Sequence, residues 1–547
     1  MSASIIETAA IDDVETRIRA IESRPLPANI ASLLATAAGE AGSRIAWNFF
    51  ESGETETYEG LRQRVNGIAA RLLALGIGKG THVGVMLPNI PAMPLTWLAL
   101  GTLGAVMVPV NTAYRQRELA YALNDSQARF VVLHEDFRPQ LEAARAEHGV
   151  AIPPARTILV GTANRDEIGW HEIDGSPLDS FVPPEPVTHE DVLNIQYTSG
   201  TTGFPKGCVL TQKYWLVSGT SNAFRDGRIY ERILASTPFF YMDPQWLLLM
   251  ALLQRGTLFV ARRQSTSRFT GWLREHRINF CLFPWVINKQ LPREDDADNE
   301  IVRANVYGVP KALHAAIERR FGLTAREAFG MTETGPTLFM PIEATDMIGS
   351  GSCGRPAPFR ECRVVDENGH AVAPGEIGEL VVRGPGILSG YFGNADATRA
   401  AFFGEWFRTG DLFRQDERGY FSIIGRRKDM VRRSGENIAA RELEAVLNAL
   451  PEVAESAIVP VPDELRGEEV KALLILREGV EQTPDLLHSI ISRCSTDLAA
   501  FKVPRYFAFR TNFPRTGSMK IAKHLLLAES ENPLQGSYDR LLDRWHV

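Results

Sequence analysis

A helical pattern followed by a short apolar strand pattern recurs through the first half of this 547-residue chain. The segment YEGLRQRVNGIAARLLALGI has apolar residues at helical spacing, and THVGVMLPN follows it as a short apolar strand. The segment ELAYALNDSQARFVVLHE repeats the same order. This alternation predicts an α/β fold in which helices cover layered, largely parallel sheets.

The pattern changes after about Gly349. The segment ECRVVDENGHAVAPGEIGELVVRG indicates a strand, a turn at Asn368-Gly369 and a second strand. We therefore expect a β-rich subdomain at about residues 350–425 within a large N-terminal domain, residues 1–427.

A second change falls near Gly425, where a basic turn precedes an amphipathic helical pattern. The inner face of that helix is predicted to contain Ile438, Leu443, Val446, Leu447 and Leu450. The remaining residues, 428–547, are predicted to form a small, mobile α+β lid domain.

Composition excludes several classes of protein. The chain is 44% hydrophobic and 23% charged, with 59 basic against 66 acidic residues, a net charge of −7 that gives no general affinity for nucleic acid or anionic membranes. The N-terminus does not resemble a secretory signal. The most apolar stretch, Met93 to Val110, is shorter than the about 20 residues that a membrane span needs, so we expect a buried helix running into a buried strand. Five scattered cysteines without a CxxC predict neither a disulfide framework nor a zinc site, and favour a reduced, cytoplasmic protein.

The segment YTSGTTGFPKG, from Tyr197 to Gly207, is unsuited to a core. Its glycines let backbone N–H groups approach an anion, its hydroxyls add donors, and Lys206 adds a positive charge. Together these features suit a polyphosphate. The Walker A pattern is not satisfied, because Gly207 follows Lys206 where Ser or Thr is required. The alternative is a solvent-exposed turn rich in small residues.

The order of these residues resembles the phosphate-binding signature of the adenylate-forming superfamily, which comprises acyl-CoA synthetases, firefly-type luciferases and peptide-synthetase adenylation domains. The resemblance extends from about Ile30 to Leu527. Four further segments occur in the family's order: FGMTETGP (Phe329–Pro336), WFRTGDL (Trp406–Leu412), GRRKD (Gly425–Asp429) and PRTGSMK (Pro514–Lys520).

The resemblance implies an ATP-dependent ligase that uses Mg²⁺ and coenzyme A. Such an enzyme joins a carboxylic acid to AMP with release of pyrophosphate, and a thiol then attacks the mixed anhydride. The small domain rotates between the two half-reactions about a hinge residue, which corresponds to Lys428 here. Gly435 and Glu436 belong to the segment that swings toward the pantetheine tunnel.

The resemblance also implies a set of nucleotide-binding residues. Glu333 corresponds to the magnesium-associated glutamate, and Thr332 beside it faces the α-phosphate. Asp411 is the carboxylate that accepts the ribose hydroxyls, and Arg426 is a second ribose or phosphate contact, with a surface arginine as its alternative. Phe329 stacks on adenine or is a core residue. The other positions expected to contact the nucleotide are Thr198, Ser199, Gly200, Thr201, Thr202, Gly203, Lys206, Gly308 and Gly330.

Lys520 corresponds to the lysine that bridges the substrate carboxylate and the α-phosphate. A fixed cation there lowers the barrier caused by repulsion between two anions. Met519 departs from the family, which usually has Gly before this lysine, and Lys523 is the fallback candidate. Arg432 and Arg433 form a solvated basic face or meet the phosphates of coenzyme A.

The acid is the least constrained part of this interpretation. The acyl pocket is expected to be lined by TPFFYMDPQW (Thr237–Trp246), FPWVIN (Phe283–Asn288) and VYGVP (Val306–Pro310), the first of which is most similar to bacterial crotonobetaine/carnitine-CoA ligases. The aromatic residues Tyr241, Trp246 and Trp285 could cage a quaternary ammonium by cation–π contacts, hold a flat or aliphatic acyl group, or belong to the core. Fatty acid or carnitine metabolism is the expected setting.

Three alternatives to an acyl-CoA ligase stay open. They are a stand-alone enzyme that loads a carrier protein, a luciferase-like monooxygenase, and a nucleotide-binding protein without turnover. The presence of Glu333, Asp411 and Lys520 disfavours the last of these. A homodimer is one open alternative for the oligomeric state.

Overall fold

The computed structural model describes residues 13–198, 205–426, 430–433, 436–464, 466–498, 500, 502–515, 520–528 and 532–546. The chain forms two compact units. The first contains Met1–Cys362 and Val382–Phe407, and the second contains Arg363–Val381 and Arg408–Val547. This division assigns residues 408–426 to the second unit. The predicted boundary after residue 427 falls at residues 427–429, which lie outside the described residues, so that boundary stays a prediction.

One sheet of the first unit is built from the alternating segments of the sequence. Its described strands are parallel except for the last pair, as expected for apolar strands buried on both faces. In spatial order they are Ile168–Gly169, Thr157–Val160, Phe130–His134, His82–Met86, Val106–Pro109, Val192–Thr198 and Lys206–Thr211.

The second sheet of the first unit has a parallel centre with antiparallel strands at both ends. In spatial order the described strands are Ser352–Pro356, Gly335–Phe339, Ala325–Met331, Arg303–Val306, Phe280–Leu282, Arg232–Ala235, Thr257–Val260, Ile45–Phe49 and Glu54–Thr57. The predicted fold class, layered α/β sheets, is confirmed.

Helices pack against these sheets. Those of the first unit are Val14–Glu22, Ile30–Ala41, Tyr58–Ala74, Ala92–Leu103, Gln116–Asp125, Arg138–His148, Trp170–Ile173, Gln212–Phe224, Met242–Gln254, Phe269–Glu275, Lys311–Phe321 and Ala395–Ala401. The apolar stretch after Met93 is a fully buried helix that ends at Gly104, with φ of 67°, before the buried strand Val106–Pro109, as predicted. In the described part of the chain, no helix is both long enough and apolar enough to cross a membrane.

The second unit contains two groups of strands. The first group is Glu361–Val365, Ile377–Arg383, Trp406–Gln415 and Phe421–Arg426, and three of these strands carry the chain from one unit to the other. Gly369 has φ of 84° in the turn that joins the first two, which confirms the predicted strand–turn–strand. The short strand Phe402–Phe403 of the first unit pairs with Trp406 and Phe407.

The second group of strands forms the core of the C-terminal region with three helices. Its strands are Glu436–Ala439, Met430–Arg433, Gly467–Leu476, Tyr506–Phe509, Tyr538–Asp539 and Arg544–Trp545, with Val453–Asp463 paired to Gly467–Leu476. The helices are Ala440–Ala449, Pro484–Asp497 and Lys523–Ala528. Ile438, Leu443, Leu447 and Leu450 are buried in one cluster against which Val446 packs, so the predicted inner face is confirmed.

Candidate functional site

The glycine- and hydroxyl-rich segment connects two paired strands. Val192–Thr198 and Lys206–Thr211 are antiparallel, with Thr198 opposite Lys206, and the Thr198 hydroxyl donates to the Lys206 carbonyl at 3.5 Å. The segment therefore forms the tip of a β-hairpin. Ser199, Gly200, Thr201, Thr202 and Gly203 lie outside the described residues.

Two tyrosines hold the base of this hairpin. The Tyr197 hydroxyl donates to Asp125 at 2.5 Å, and the Tyr121 hydroxyl donates to the Pro205 carbonyl at 2.9 Å. Burial, followed by the Asp125 carboxylate, raises the pKa of Tyr197, so its phenol keeps the proton that it donates. Both ends of the tip are thus attached to the helix Gln116–Asp125.

A second hairpin turn presents Glu333. Ala325–Met331 and Gly335–Phe339 are antiparallel, and the turn between them contains half-buried Thr332 and buried Glu333, which is 8% exposed. Gly335 has φ of 64°, and a Cβ there would lie 2.7 Å from the Ser218 hydroxyl. Only glycine satisfies both constraints, which explains why the turn has this sequence.

Arg360 also stabilises the turn that contains Glu333. It is buried, and its guanidinium donates to the carbonyls of Thr334 at 3.0 Å, Pro385 at 2.7 Å and Gly386 at 3.2 Å. Burial lowers the pKa of Arg360 to about 10, but the group stays protonated at neutral pH. Sequence reasoning did not single out Arg360.

Residues 388–392 join the two hairpins. The amide of Phe392 donates to the backbone carbonyl of Gly207 at 2.8 Å, and the amide of Leu388 donates to the backbone carbonyl of Glu333 at 2.7 Å. The Tyr391 hydroxyl donates to Glu333 Oε1 at 3.0 Å, while Lys206 Nζ lies 4.6 Å from the centre of the Tyr391 ring. Burial and the Glu333 carboxylate raise the pKa of Tyr391. One tyrosine therefore contacts both the predicted phosphate-binding lysine and the predicted magnesium-associated glutamate.

Sequence reasoning missed Tyr391. The available signal was a phenol after Gly390 in the glycine-rich segment GPGILSGYFGN. The hydrogen bond to Glu333 spans 58 positions, so the pattern of neighbouring residues carries no trace of it.

Gly308 follows the strand Arg303–Val306, and Phe329 lies in the neighbouring strand Ala325–Met331, just beyond the part that pairs in parallel with it. Val306 pairs with Glu327, and Glu327 then accepts hydrogen bonds from the amides of Gly308 at 3.1 Å and Val309 at 2.7 Å. Gly308 has φ of 66°. Ligands of α/β proteins bind beyond the carboxyl ends of parallel strands, and this edge has that geometry. Phe329 is half-buried and Gly330 is exposed.

The three aromatic residues of the predicted acyl pocket lie in different surroundings. Trp246 is buried in the main core, and its indole donates to Asp243 at 3.2 Å. Tyr241 is half-buried beside that core, whereas half-buried Trp285 packs against a second apolar cluster and lies 5.6 Å from Lys289 Nζ. Trp246 therefore has the packing expected of the core alternative, and the cage stays a prediction.

Asp411 belongs to the second unit. It is buried in the strand Trp406–Gln415, opposite Arg426. The amide of Asp411 donates to Thr409 Oγ1 at 3.1 Å, and the amide of Gly410 donates to Glu379 Oε1 at 3.1 Å. The backbone around Asp411 is thus held from two sides. The side chains of Arg426 and Glu436, and all of Lys428 and Gly435, lie outside the described residues.

The two candidate lysines differ in their surroundings. Lys520 is exposed, and the next residue, Ile521, pairs with Arg515. Lys523 forms an ion pair with Glu444 at 2.6 Å. The ion pair attaches Lys523 to the helix Ala440–Ala449, and the role of Lys520 stays a prediction. Met519 lies outside the described residues.

Arg433 differs from the expected solvated basic face. Its guanidinium pairs with the fully buried carboxylate of Glu469 at 2.8 Å, so it is part of the structure of the second unit. The side chain of Arg432 lies outside the described residues.

Comparison with known proteins identifies the family. The sequence model described as AMP-binding enzyme matches residues 34–392, and that of the AMP-binding enzyme C-terminal domain matches residues 442–520. The chain is 31% identical over 496 residues to the crotonobetaine/carnitine–CoA ligase of Salmonella arizonae, covering 87% of this chain and 94% of that protein. It is 32% identical over 487 residues to the sulfoacetate–CoA ligase of Cupriavidus necator, covering 87% of this chain and 93% of that protein. The chain belongs to the AMP-binding enzyme family.

Solved structures agree on the fold. The anthranilate CoA ligase AuaEII in complex with anthranoyl-AMP gives a TM-score of 0.83 at 24% identity, covering 93% of this chain and 98% of that one. The o-succinylbenzoate CoA synthetase MenE of Bacillus subtilis, in complex with the acyl-adenylate OSB-AMP, gives a TM-score of 0.79 at 25% identity. The match covers 92% of this chain and 98% of that one. The sequence-based assignment to adenylate-forming enzymes is confirmed.

Proposed function

We propose that this chain is an AMP-forming acid–CoA ligase that activates a carboxylic acid as an acyl-adenylate and transfers the acyl group to coenzyme A. The observation that carries the proposal is the contact of Tyr391 with both Lys206 and Glu333. It connects a polyphosphate-type hairpin with a buried carboxylate, as an enzyme that handles ATP and a metal ion requires. Family membership and the two CoA-ligase relatives support the same conclusion.

The phosphates and the adenine of ATP are assigned to residues of the first unit. Thr198 to Lys206 would receive the β- and γ-phosphates through backbone amides, hydroxyls and the ammonium group. Phe329, with Gly308 and Gly330, would receive adenine at the carboxyl edge of the sheet. Asp411 would accept the ribose hydroxyls, and Arg426 would add a second contact.

Mg²⁺ fits the Glu333 turn by the chemistry of its donors. Magnesium binds proteins through one or two carboxylates and keeps phosphate oxygens and waters as its other ligands. Within the described residues no group of three or more His, Cys, Asp or Glu side chains could hold a metal, and a single carboxylate beside ATP does not need one. Glu333 would hold the ion, which supplies neutralisation of phosphate charge.

The first half-reaction needs two anions to meet. A carboxylate oxygen of the acid attacks the α-phosphorus, the bond from that phosphorus to the bridging oxygen breaks, and pyrophosphate leaves with the electron pair. Lys520 would contact the carboxylate and the α-phosphate together, and Thr332 would donate to the α-phosphate. Fixed donors of this kind lower the barrier because they are already oriented when charge moves.

The second half-reaction forms the thioester. The thiol sulfur attacks the acyl carbon, the bond to the phosphate oxygen breaks, and AMP leaves while the thiol loses its proton. We assign the change between the two half-reactions to a rotation about Lys428, which would bring Gly435 and Glu436 toward the pantetheine arm. We place the enzyme in a reducing cytoplasm, which its five free cysteines support.

A carboxylic-acid panel tests this function. The protein is incubated with ATP, Mg²⁺, coenzyme A and each acid, and pyrophosphate, AMP and thioester are measured. We expect all three products only with particular acids. A thioester that forms only on an added carrier protein would establish the carrier-loading alternative, and ATP binding without acid-dependent pyrophosphate exchange would establish the non-catalytic one.

Two variants separate the half-reactions. Lys520→Ala should abolish adenylate formation and largely spare thioester formation from a supplied acyl-adenylate. Lys523→Ala is the matched control, because it removes a neighbouring lysine that is paired with Glu444. Equal loss of both half-reactions in Lys520→Ala would contradict the role of Lys520.

A further inference from the structure

Two guanidinium groups meet in the core of the first unit. Arg225 follows the helix Gln212–Phe224 and is 1% exposed, and Arg303 begins the strand Arg303–Val306 and is 0% exposed. Asn305 Oδ1 accepts from Arg225 at 3.2 Å and from Arg303 at 2.8 Å. Arg303 also pairs with the buried carboxylate of Asp226 at 2.5 Å.

The cluster carries more positive than negative charge. The nearby buried arginines have carboxylates of their own, since Arg17 pairs with Glu343 at 3.0 Å and Arg326 with Glu318 at 2.7 Å. In the described part of the chain, no ion pair involves Arg225, whose contacts include the Phe339 ring at 5.5 Å. Burial, followed by the charge of Arg303, lowers the pKa of Arg225 to about 10. The Asp226 carboxylate pairs with Arg303 and also acts on Arg225, which leaves one surplus positive charge among these three groups; a surplus buried charge is unfavourable, so this position favours an anion.

Several donors of the cluster also lack acceptors. Arg225 Nε, Arg303 Nη2 and Asn305 Nδ2 are buried and have no hydrogen-bond partner among the described residues. Nearly all buried donors in proteins are satisfied, because burying a donor without an acceptor is unfavourable. Three such donors on one cluster of surplus positive charge indicate an acceptor with several oxygens. None of these donors belongs to the predicted phosphate-binding segment, Thr198 to Lys206.

The cluster adjoins the predicted acyl pocket. Tyr307 lies in the segment Val306–Pro310, two residues after Asn305, and its phenol interacts with the charges of Arg225 and Asp243. Tyr307 itself is 45% exposed, so the residue next to the cluster also reaches the surface of the protein. The Asp243 carboxylate also acts on Tyr307, so the surroundings of Tyr307 are not uniformly positive.

We propose that Arg225, Arg303 and Asn305 form an anion subsite at the inner end of the acyl pocket, so that the preferred acid carries a second anionic group. The proposal rests on the proposed ligase function and names its substrate class. Guanidinium groups bind carboxylates and sulfonates through paired N–H donors, which suits the unsatisfied atoms.

The helix gives the approximate separation of the two charges of the acid. The Glu333 turn packs against Ser218 through Gly335, and Arg225 lies seven residues farther along. Seven residues correspond to about 10 Å of helical rise. The second anionic group is therefore several bonds away from the reacting carboxylate.

The first test uses unmodified protein and pairs of acids with equal carbon number. Succinate, adipate and suberate are compared with butyrate, hexanoate and octanoate, and kcat/KM is measured from AMP release with coenzyme A. We expect at least one dicarboxylate to exceed its monocarboxylate by about 10-fold or more, with the longer pair favoured. Monocarboxylates that equal or exceed their partners at every length would overturn the subsite and leave the ligase function standing. Absence of AMP with every acid would overturn the ligase function, and this proposal with it.

The second test removes the surplus charge. Arg225→Gln should lower the ratio of dicarboxylate to monocarboxylate kcat/KM by about 10-fold, with monocarboxylate activity within about 3-fold of the original. Arg326→Gln is the matched control, because it removes a buried arginine that has its own carboxylate, and the ratio should not change. An equal loss with both acid classes in Arg225→Gln would assign the residue a structural role and refute the subsite. If Arg225→Gln does not fold, the ratio in the unmodified protein decides.

Discussion

Replacing Tyr391 with Phe isolates one atom of the contact between the two hairpins. The change removes the hydroxyl that donates to Glu333 at 3.0 Å and keeps the ring over which Lys206 lies. Glu333 then loses a fixed donor, and its carboxylate gains freedom to turn away from the position in which it meets the metal ion. We expect slower adenylation and a higher Mg²⁺ requirement.

The size of the effect follows from the bond that is lost. A hydrogen bond to a charged group contributes about 1.5–3 kcal/mol. If this loss falls entirely on the transition state, kcat/KM for adenylation decreases about 10-fold to about 150-fold, since 1.36 kcal/mol is a factor of ten. A smaller decrease would mean that water replaces the phenol as donor.

Acid-dependent ATP–pyrophosphate exchange over a range of Mg²⁺ concentrations measures both effects. Tyr538→Phe is the matched control, because Tyr538 also donates to a carboxylate, that of Asp543, in the second unit. If Tyr391→Phe matches the unmodified protein in rate and in Mg²⁺ dependence, Tyr391 does not position Glu333 and the reasoning fails.

Three other changes test the supports of the site. Gly335→Ala places a Cβ 2.7 Å from the Ser218 hydroxyl on a residue in the left-handed conformation. We expect the free energy of unfolding to fall by about 1–2 kcal/mol from the backbone alone, with a further decrease from the clash. Thermal unfolding should show that adding Ser218→Ala partly restores stability. Glu327→Gln leaves one of two backbone amides facing an NH₂ group, which should raise KM for ATP in exchange assays without changing the pattern of acids used. Lys523→Ala breaks a half-buried ion pair with Glu444, and its expected signature is a lower unfolding midpoint of the second unit with exchange activity retained.

Local sequence was sufficient for the elements and insufficient for their contacts. The alternation of helix and strand patterns predicted the layered sheets, and the described ends of the phosphate-binding segment, Thr198 and Lys206, lie opposite each other in two antiparallel strands. Trp246 illustrates the limit, because the same aromatic residue suits a ligand cage or a core, and only its packing distinguishes them.

Buried arginines illustrate a second limit. An arginine in a sequence is expected at the surface, because this residue is almost never fully buried unless it is paired. Arg225, Arg303 and Arg360 are nonetheless buried, and their partners are carbonyls, an amide or a carboxylate from distant parts of the chain. No periodic pattern marks such positions, so the polar interior of the first unit could not be predicted from the sequence.

The position of Tyr391 between opposite charges has a physical rationale. A direct buried ion pair between Lys206 and Glu333 would be costly to break, because separating such a pair costs about 3–5 kcal/mol. The ring holds the ammonium through a cation–π contact of about 0.5–2 kcal/mol, and the hydroxyl holds the carboxylate through one hydrogen bond. Both charged groups are therefore positioned by interactions weak enough to be exchanged for phosphate and metal. Tyr391→Leu removes both contacts and frees the two charges to pair with each other, so it should impair adenylation more than Tyr391→Phe does, and exchange assays that give the two variants equal rates would contradict this role of the ring.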